Sequence, residues 1–365
     1  MSSDQQNWRQ RSTQRPFKED EMETVWFMIV AFMLVCYVIL DGFDIGAGIV
    51  HHYVGRNANE RAATISAIGP VWDGNEVWLL ATGGTLYFAF PALYAAGFSG
   101  FYLPLIMVLW LLIMRAAGIE LRHQLDNPLW VKFWDFVFSL SSILLAIFFG
   151  AALGNVIRGV PIDATGYFFE PLFTDWTTTG ATGILDWFTV LSGVVAFVAL
   201  AIHGASYLAI KTQGDMNARA RKVVGVAWFA LVIVTVLSLG AVMSVRPTLL
   251  DNYYYLPIGW LIPAAVVASL IAVKYFNAKG SDKSAFIASS VYLAMMLGGA
   301  VYGLYPNVLP ALDPQYSLTI HNAKAGAYGL GVGLIWWPIG IIIALGYFTF
   351  LFRTFKGKVA VEEHH

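Results

Sequence analysis

Six ionisable side chains stand in a chain whose surroundings are otherwise apolar: Asp41 and Asp44 in "LDGFDIGAGIV", Asp73 and Glu76 in "IGPVWDGNEVW", Arg115 and Glu120 in "RAAGIEL". A charge at the centre of a membrane helix costs about 2.5–3.5 kcal/mol even on the lenient insertion scale, so each needs a reason. The chemistry open to such groups is proton relay, because carboxylates entering a membrane interior are the usual relay groups. Asp41 and Asp44 are three residues apart and lie on nearly one helix face. They either take part in that relay or pair with Arg56, Arg61 or Arg115 inside a tight helix contact. Gly42, Gly46 and Gly48 would let another backbone approach them. Asp73 and Glu76 flank Gly74 and Asn75, with Trp72 and Trp78 on either side. At a helix start the macrodipole favours negative charge, so the pair reads either as a cap or as a cytoplasmic mouth for protons. Arg115 and Glu120 are five residues apart, about 140° around a helix, and need not face each other.

The elements that would position these groups are membrane helices. The 365 residues are 58% hydrophobic and 12% charged, against roughly 25% charged in soluble domains, and the mean hydropathy is +0.64. A net charge of -1 without blocks of like charge leaves no footprint for nucleic acid. Apolar stretches of membrane length fall near 24–49, 76–97, 99–119, 135–156, 186–209, 222–244, 257–276, 285–306 and 330–354. About nine crossings put the termini on opposite sides. Of the 22 Lys and Arg, 15 fall on the side of the C-terminus, so the positive-inside rule places that end in the cytoplasm and the N-terminus outside. Residues 1–23 read as a polar disordered tail, 24–355 as one polytopic membrane domain, and 356–365 as a C-terminal tail. Between the first two spans, Asn57 and Glu60 form a capping-box pattern. Val54, Ala58, Ala62, Ile65 and Ile68 follow at helical spacing, which predicts a cytoplasmic interfacial helix. The longest outer loop, 157–185, reads as an aromatic-rich cap.

Other chemistries find little support. The single cysteine, Cys36, excludes intrachain disulfides, Cys-ligated iron–sulfur clusters and CxxCH haem attachment. Among the seven histidines, His51 and His52 border the interface, His123 lies in a loop, His364 and His365 are terminal, and His321 in "SLTIHNA" belongs to a loop or helix start. His203 lies inside a span beside Gly204, and a lone histidine there more often hydrogen-bonds a neighbour than ligates haem. No metal site and no haem are expected in this chain. No P-loop, GxGxxG, HExxH or GxSxG pattern points to soluble-type catalysis.

The segments "DGFDIGAG", "GRNANER", "GPVWDGNEVWL", "AFPALYAAGFSGFYLP" and "RAAGIELR" together resemble subunit II of the bacterial cytochrome bd quinol oxidases. The likeness continues in "GNVIRGVP", "HGASYLAIKT" and "SLTIHNA" and spans nearly the whole chain beyond residue 23. It implies an all-α integral membrane protein of two four-helix bundles plus one peripheral helix, in the bacterial cytoplasmic membrane. It further implies a heterodimer whose haem-bearing subunit I holds two b-type haems and one d-type haem, oxidises quinol and reduces oxygen to water. This chain would ligate none of the haems and would support assembly and a cytoplasmic proton path. In some members the subunit also holds a structural quinone, and complexes with a small accessory subunit and with membrane lipids are within the resemblance. Asp73 and Arg115 match proton-path positions directly. Glu120 stands where some relatives have aspartate, one methylene shorter. Asp41, Asp44 and Glu76 complete the proposed path, while Trp72, Gly74, Asn75, Trp78, Arg56, Arg61 and the three glycines carry the motif. His321 replaces an aromatic residue common in the family motif. The competing class is a stand-alone proton-coupled transporter, and a third is a membrane scaffold without proton conduction.

Overall fold

The computed structural model describes residues 19–359. Of the polar tail expected over 1–23, residues 1–18 lie outside the described residues, as do 360–365 of the C-terminal tail. Helix α1 (Glu19–Val54) begins inside the expected tail. Glu23 is buried, bonded to His321 and Lys324 of the loop before the last helix. A carboxylate so placed fixes the helix start, which composition alone would assign to solvent.

Twelve α-helices follow in order among the described residues. After α1 come α2 (Ala58–Ile68), α3 (Trp72–Ala89), α4 (Pro91–Gly100), α5 (Tyr102–Leu121) and α6 (Pro128–Arg158). Then come α7 (Trp187–Lys211), α8 (Gly214–Val245), the short α9 (Asp251–Tyr255), α10 (Leu261–Ala278), α11 (Asp282–Leu304) and α12 (Ala327–Thr354). The protein is an all-α membrane protein, and eight of these helices are long and apolar enough to cross a bilayer. The expected second span, 76–97, is instead two helices. Pro91 occupies the first turn of α4, where its missing N–H costs nothing. Phe90 between the helices leaves the helical backbone region. Helix α3 alone has 18 residues, about 27 Å, so it still approaches the thickness of a hydrocarbon core.

Packing groups the helices in two sets. α1, α3 with α4, α5 and α6 form the first, and α7, α8, α10 and α11 the second. α7 joins the sets, packed against both α6 and α1, and α12 touches the rest only lightly. In the most apolar stretch of α7, 61% of residues are buried inside the chain, against 6% in α12. The former is therefore the pillar and the latter the peripheral helix. α1 and α7 meet through glycine: a Cβ at Gly204 would lie 2.1 Å from the Gly46 carbonyl carbon, and one at Gly46 would lie 2.0 Å from the Leu200 oxygen. Gly48 meets α6 in the same way, 2.0 Å from the Ser142 hydroxyl oxygen, and Gly42 faces the Leu200 side chain at 3.0 Å. Lipid tails are as apolar as leucine, so close van der Waals approach, more than burial, holds such helices together.

At the Val54 end of α1, α2 packs across the first set. Asn57 caps it by accepting from the Glu60 N–H at 2.8 Å, but Glu60 reaches back to the Arg56 N–H at 2.7 Å, one residue earlier than a capping box requires. The buried Asp135 of α6 ties the layer: it accepts from Arg61 at 2.8 Å and Arg122 at 2.6 Å and contacts His51 at 3.0 Å. At the opposite end, Arg158 bonds Glu170 at 2.5 Å and also pairs with Asp186, closing the 159–186 loop over the helix ends. A short antiparallel pair, β1 (Asn307–Leu309) with β2 (Leu318–Thr319), braces the loop before α12.

Two outcomes follow from this packing. Gly204→Val forces α1 and α7 apart and should cost at least roughly 1–3 kcal/mol, read as a lower melting temperature and a reduced yield of folded protein in detergent. Asp135→Ala leaves Arg61, Arg122 and His51 without their shared acceptor and should cost about 3–5 kcal/mol by the same readout, whereas truncating the exposed Tyr328 should change little.

Candidate functional site

The polar core of the first set is built by α1, α3 and α5. Asp41 and Asp44 occupy successive turns of α1, both with no exposed surface. Asn75 and Glu76 come from the first turns of α3, and Arg115 comes from the last turns of α5. The Arg115 guanidinium, fully buried, donates from Nη1 to Asp41 Oδ1 at 2.6 Å and from Nη2 to Glu76 Oε2 at 2.9 Å. Asn75 donates its side-chain amide to Asp44 Oδ2 at 2.7 Å. Three helices distant in sequence therefore share one charged knot, and of the arginines weighed as partners for Asp41, Arg115 takes it. Arg61 goes to Asp135, and Arg56 is exposed at the start of the interfacial helix.

The knot is only partly satisfied from within. Asp44 Oδ1, Asn75 Oδ1, Arg115 Nε and Trp78 Nε1 are buried and have no hydrogen-bond partner among the described residues, while the Tyr37 hydroxyl interacts with the Asp41 carboxyl. In a low-dielectric interior such groups are costly unless water or another ligand serves them. Tyr37 stands one turn before Asp41 on α1, and Trp78 one turn after Asn75 on α3. The site is thus lined by both donors and acceptors that remain open.

Two of the expected path residues lie outside the knot. Asp73 and Glu120 are exposed on the surface of the chain, and neither forms an ion pair among the described residues. Asp73 is nonetheless close enough to act electrostatically on Glu76, whose side chain is 20% exposed. Glu120 is on the α5 turn after Arg115, with the exposed Leu121 beside it. Asp73 is at the surface, Glu76 is partly exposed, and Arg115, Asp41 and Asp44 have no exposed surface. Trp72 and Gly74 sit at the start of α3, and Gly74 packs against Phe348 of α12.

His203 is buried and both ring nitrogens are engaged, Nδ1 with Ser289 Oγ at 2.7 Å and Nε2 with the Ile39 carbonyl at 2.9 Å. Its ring stacks on Phe286 with centroids 4.7 Å apart. These contacts account for a polar residue in mid-span without a metal. Sequence reasoning missed Asp135, Glu170, Asp186 and Glu23 as ion-pair anchors. The signal for Asp135 was available, a single carboxylate in "KFWDFVF" opposite the arginine-rich inner loops, but nothing local names its partners. Outside the spans, burial pushes the Glu170 carboxyl up, with Arg158 opposing. Glu60 moves the other way, because bonds from Arg219 and the Arg56 N–H outweigh its burial.

An apolar groove of about 340 Å³ opens between α1, α3 and α12, lined by Trp26, Met33, Trp78, Phe88, Trp337 and Phe348 among others. Trp78 therefore belongs to the border between the polar knot and this groove.

Comparison with known proteins agrees with this architecture. The chain is 32% identical over 370 residues to a probable cytochrome oxidase subunit 2 of Haemophilus influenzae, covering 92% of this chain and 94% of that one. It is 31% identical over 380 residues to the cytochrome bd-I ubiquinol oxidase subunit 2 of Escherichia coli K12, covering 93% and 95%. It is 30% identical over 343 residues to the cytochrome bd ubiquinol oxidase subunit 2 of Bacillus subtilis, covering 94% and 98%. The fold matches a chain in the structure of bd oxidase from Geobacillus thermodenitrificans with a TM-score of 0.72 at 16% identity, over 92% of this chain and 98% of that one. The family model for cytochrome bd terminal oxidase subunit II matches residues 22–355, and the chain belongs to that family.

Proposed function

We propose that this chain is the non-haem partner of a haem-bearing subunit I in a quinol:oxygen oxidoreductase, and that it leads protons from the cytoplasm toward the site of oxygen reduction. The observation that carries the reading is the buried Asp41–Arg115–Glu76 fork, continued toward the surface by the exposed Asp73. The b-type and d-type haems, held by the partner, would supply electron transfer and oxygen chemistry. The residues here bind, hold and pass protons. Asp73 takes a proton at the mouth, Glu76 passes it inward, and Arg115 keeps the neighbouring carboxylates in place against their mutual repulsion. Glu120, on the same outward surface of α5, belongs to the face that meets subunit I, because an exposed carboxylate beside membrane-facing leucine and methionine is costly against lipid.

The excess of Lys and Arg toward the C-terminal side supports a cytoplasmic C-terminus and an outer N-terminus. Where the complex holds a structural quinone in this subunit, the aromatic groove beside α12 suits it: an apolar trench for a polyprenyl chain, with the unpartnered Trp78 Nε1 as a donor to a carbonyl. A small accessory subunit and bound lipids would lie on the outer helix faces.

Purification in mild detergent with a reduced-minus-oxidised visible spectrum tests the complex. A co-purifying haem subunit is the expected result, and a colourless, stable, solitary protein that moves a solute in liposomes would establish a transporter instead. For the path, Asp73→Asn in the complex should retain all haem bands and lower quinol oxidase turnover by about a hundredfold or more, the lower end for a lost proton-transfer group. Full turnover with normal assembly would remove Asp73 from the path.

A further inference from the structure

The two aspartates on α1 have received one role between them, and their surroundings divide it. Asp41 is bonded by a guanidinium at 2.6 Å. Asp44, one turn further along α1, has no cationic partner among the described residues: one oxygen takes the Asn75 amide at 2.7 Å and the other has no donor. The charges around it come from every neighbouring element. Asp41 and Tyr37 lie on α1, Glu76 on α3, Arg115 on α5 and Tyr207 on α7. Three carboxyl groups thus share one arginine whose two Nη atoms are already committed, to Asp41 and to Glu76. A fully ionised knot would leave two negative charges uncompensated in a membrane interior, which is strongly unfavourable for each.

A second observation concerns groups that are not acids. The Asn75 side chain, with no exposed surface, leaves its Oδ1 unbonded, and Trp78 Nε1, at least nine-tenths buried, is unbonded as well. An O–H on Asp44 Oδ1 would supply a donor to a knot in which Asn75 Oδ1 is an acceptor without one.

Resting on the proton-path reading, we infer that Asp44 is the carboxyl that holds the transferable proton, and that Asp41 is the fixed counter-ion of Arg115. The step is a proton exchange. The O–H bond on Asp44 breaks as the proton leaves toward the partner-facing side, and a new O–H bond forms with a proton delivered through Asp73 and Glu76. No electron is moved within this chain. Asn75 then acts as a positioning residue, keeping one Asp44 oxygen bonded so that the proton stays on the other.

The test uses the complete oxidase in vesicles, with infrared difference spectra recorded in H2O and D2O during turnover. Wild type should show a protonated-carboxyl stretching band that shifts in D2O. Asp44→Asn should abolish that band and lower turnover at least tenfold with the haem bands kept. Asp41→Asn should keep the band where the complex assembles, and Asn75→Asp should shift it. A band unchanged in Asp44→Asn, or a band lost with full turnover, overturns the inference. The proton-path reading stands or falls separately, on whether Asp73→Asn and Glu76→Gln slow proton uptake from the cytoplasmic side.

Discussion

A guanidinium buried in the membrane is the constraint around which the first helix set is arranged. Arg115 cannot be left alone in a low-dielectric interior, and its two Nη atoms demand acceptors in one plane. Asp41 and Glu76 meet that demand from two other helices. The cost of breaking one arm is the cost of an orphaned buried charge, so the register of α1 against α3 and α5 is fixed to within a hydrogen bond. That register in turn places Asn75 against Asp44 and Trp78 at the edge of the groove beside α12.

The arginine knot could not form without the glycines one turn further along α1. Gly46 and Gly204 bring α1 and α7 into backbone contact, and Gly48 lets α6 close from the other side. These contacts hold the carboxylate face of α1 in place while its opposite face is pressed against the pillar helix. Aromatic packing of Phe43 on Tyr207, with centroids 4.0 Å apart, fills the space between the two close approaches. Stability and chemistry here share one helix, and its small residues serve both.

Much of this was legible in the sequence because charges in an apolar chain are rare and each demands an explanation. Composition and span length gave the fold class, and the spacing of Asp41, Asp44 and the glycines marked α1 as the helix to watch. The break at Phe90 was not legible, since Pro91 sits within an apolar run and hydropathy windows average over it. Long-range pairing was also beyond reach: Arg115 was one of three candidates for Asp41, and 74 residues separate them. The burial of Glu23 escaped because its partners, His321 and Lys324, lie about 300 residues away. The surface positions of Asp73 and Glu120 depend on which helix face turns outward, which a motif does not state.

The chain contains three buried arginine knots, and comparing them separates structural clamps from chemistry. Asp135, near the Val54 end of α1, is one carboxylate among Arg61, Arg122 and His51, with no shortage of positive charge. Arg158, at the opposite end, faces two carboxylates, but Asp186 also caps α7 by accepting from the Phe188 and Thr189 N–H groups, and Glu170 accepts from Thr182 with one oxygen and leaves the other unbonded. The helix dipole and hydroxyl there take up part of the second charge. Only the knot at Arg115 combines surplus carboxylates with unbonded donors and acceptors and a half-open residue, Glu76, leading outward. At the Arg158 clamp a single Glu170 oxygen is left unbonded, whereas the Arg115 knot leaves donors and acceptors open together, as a group that must receive and release a proton requires.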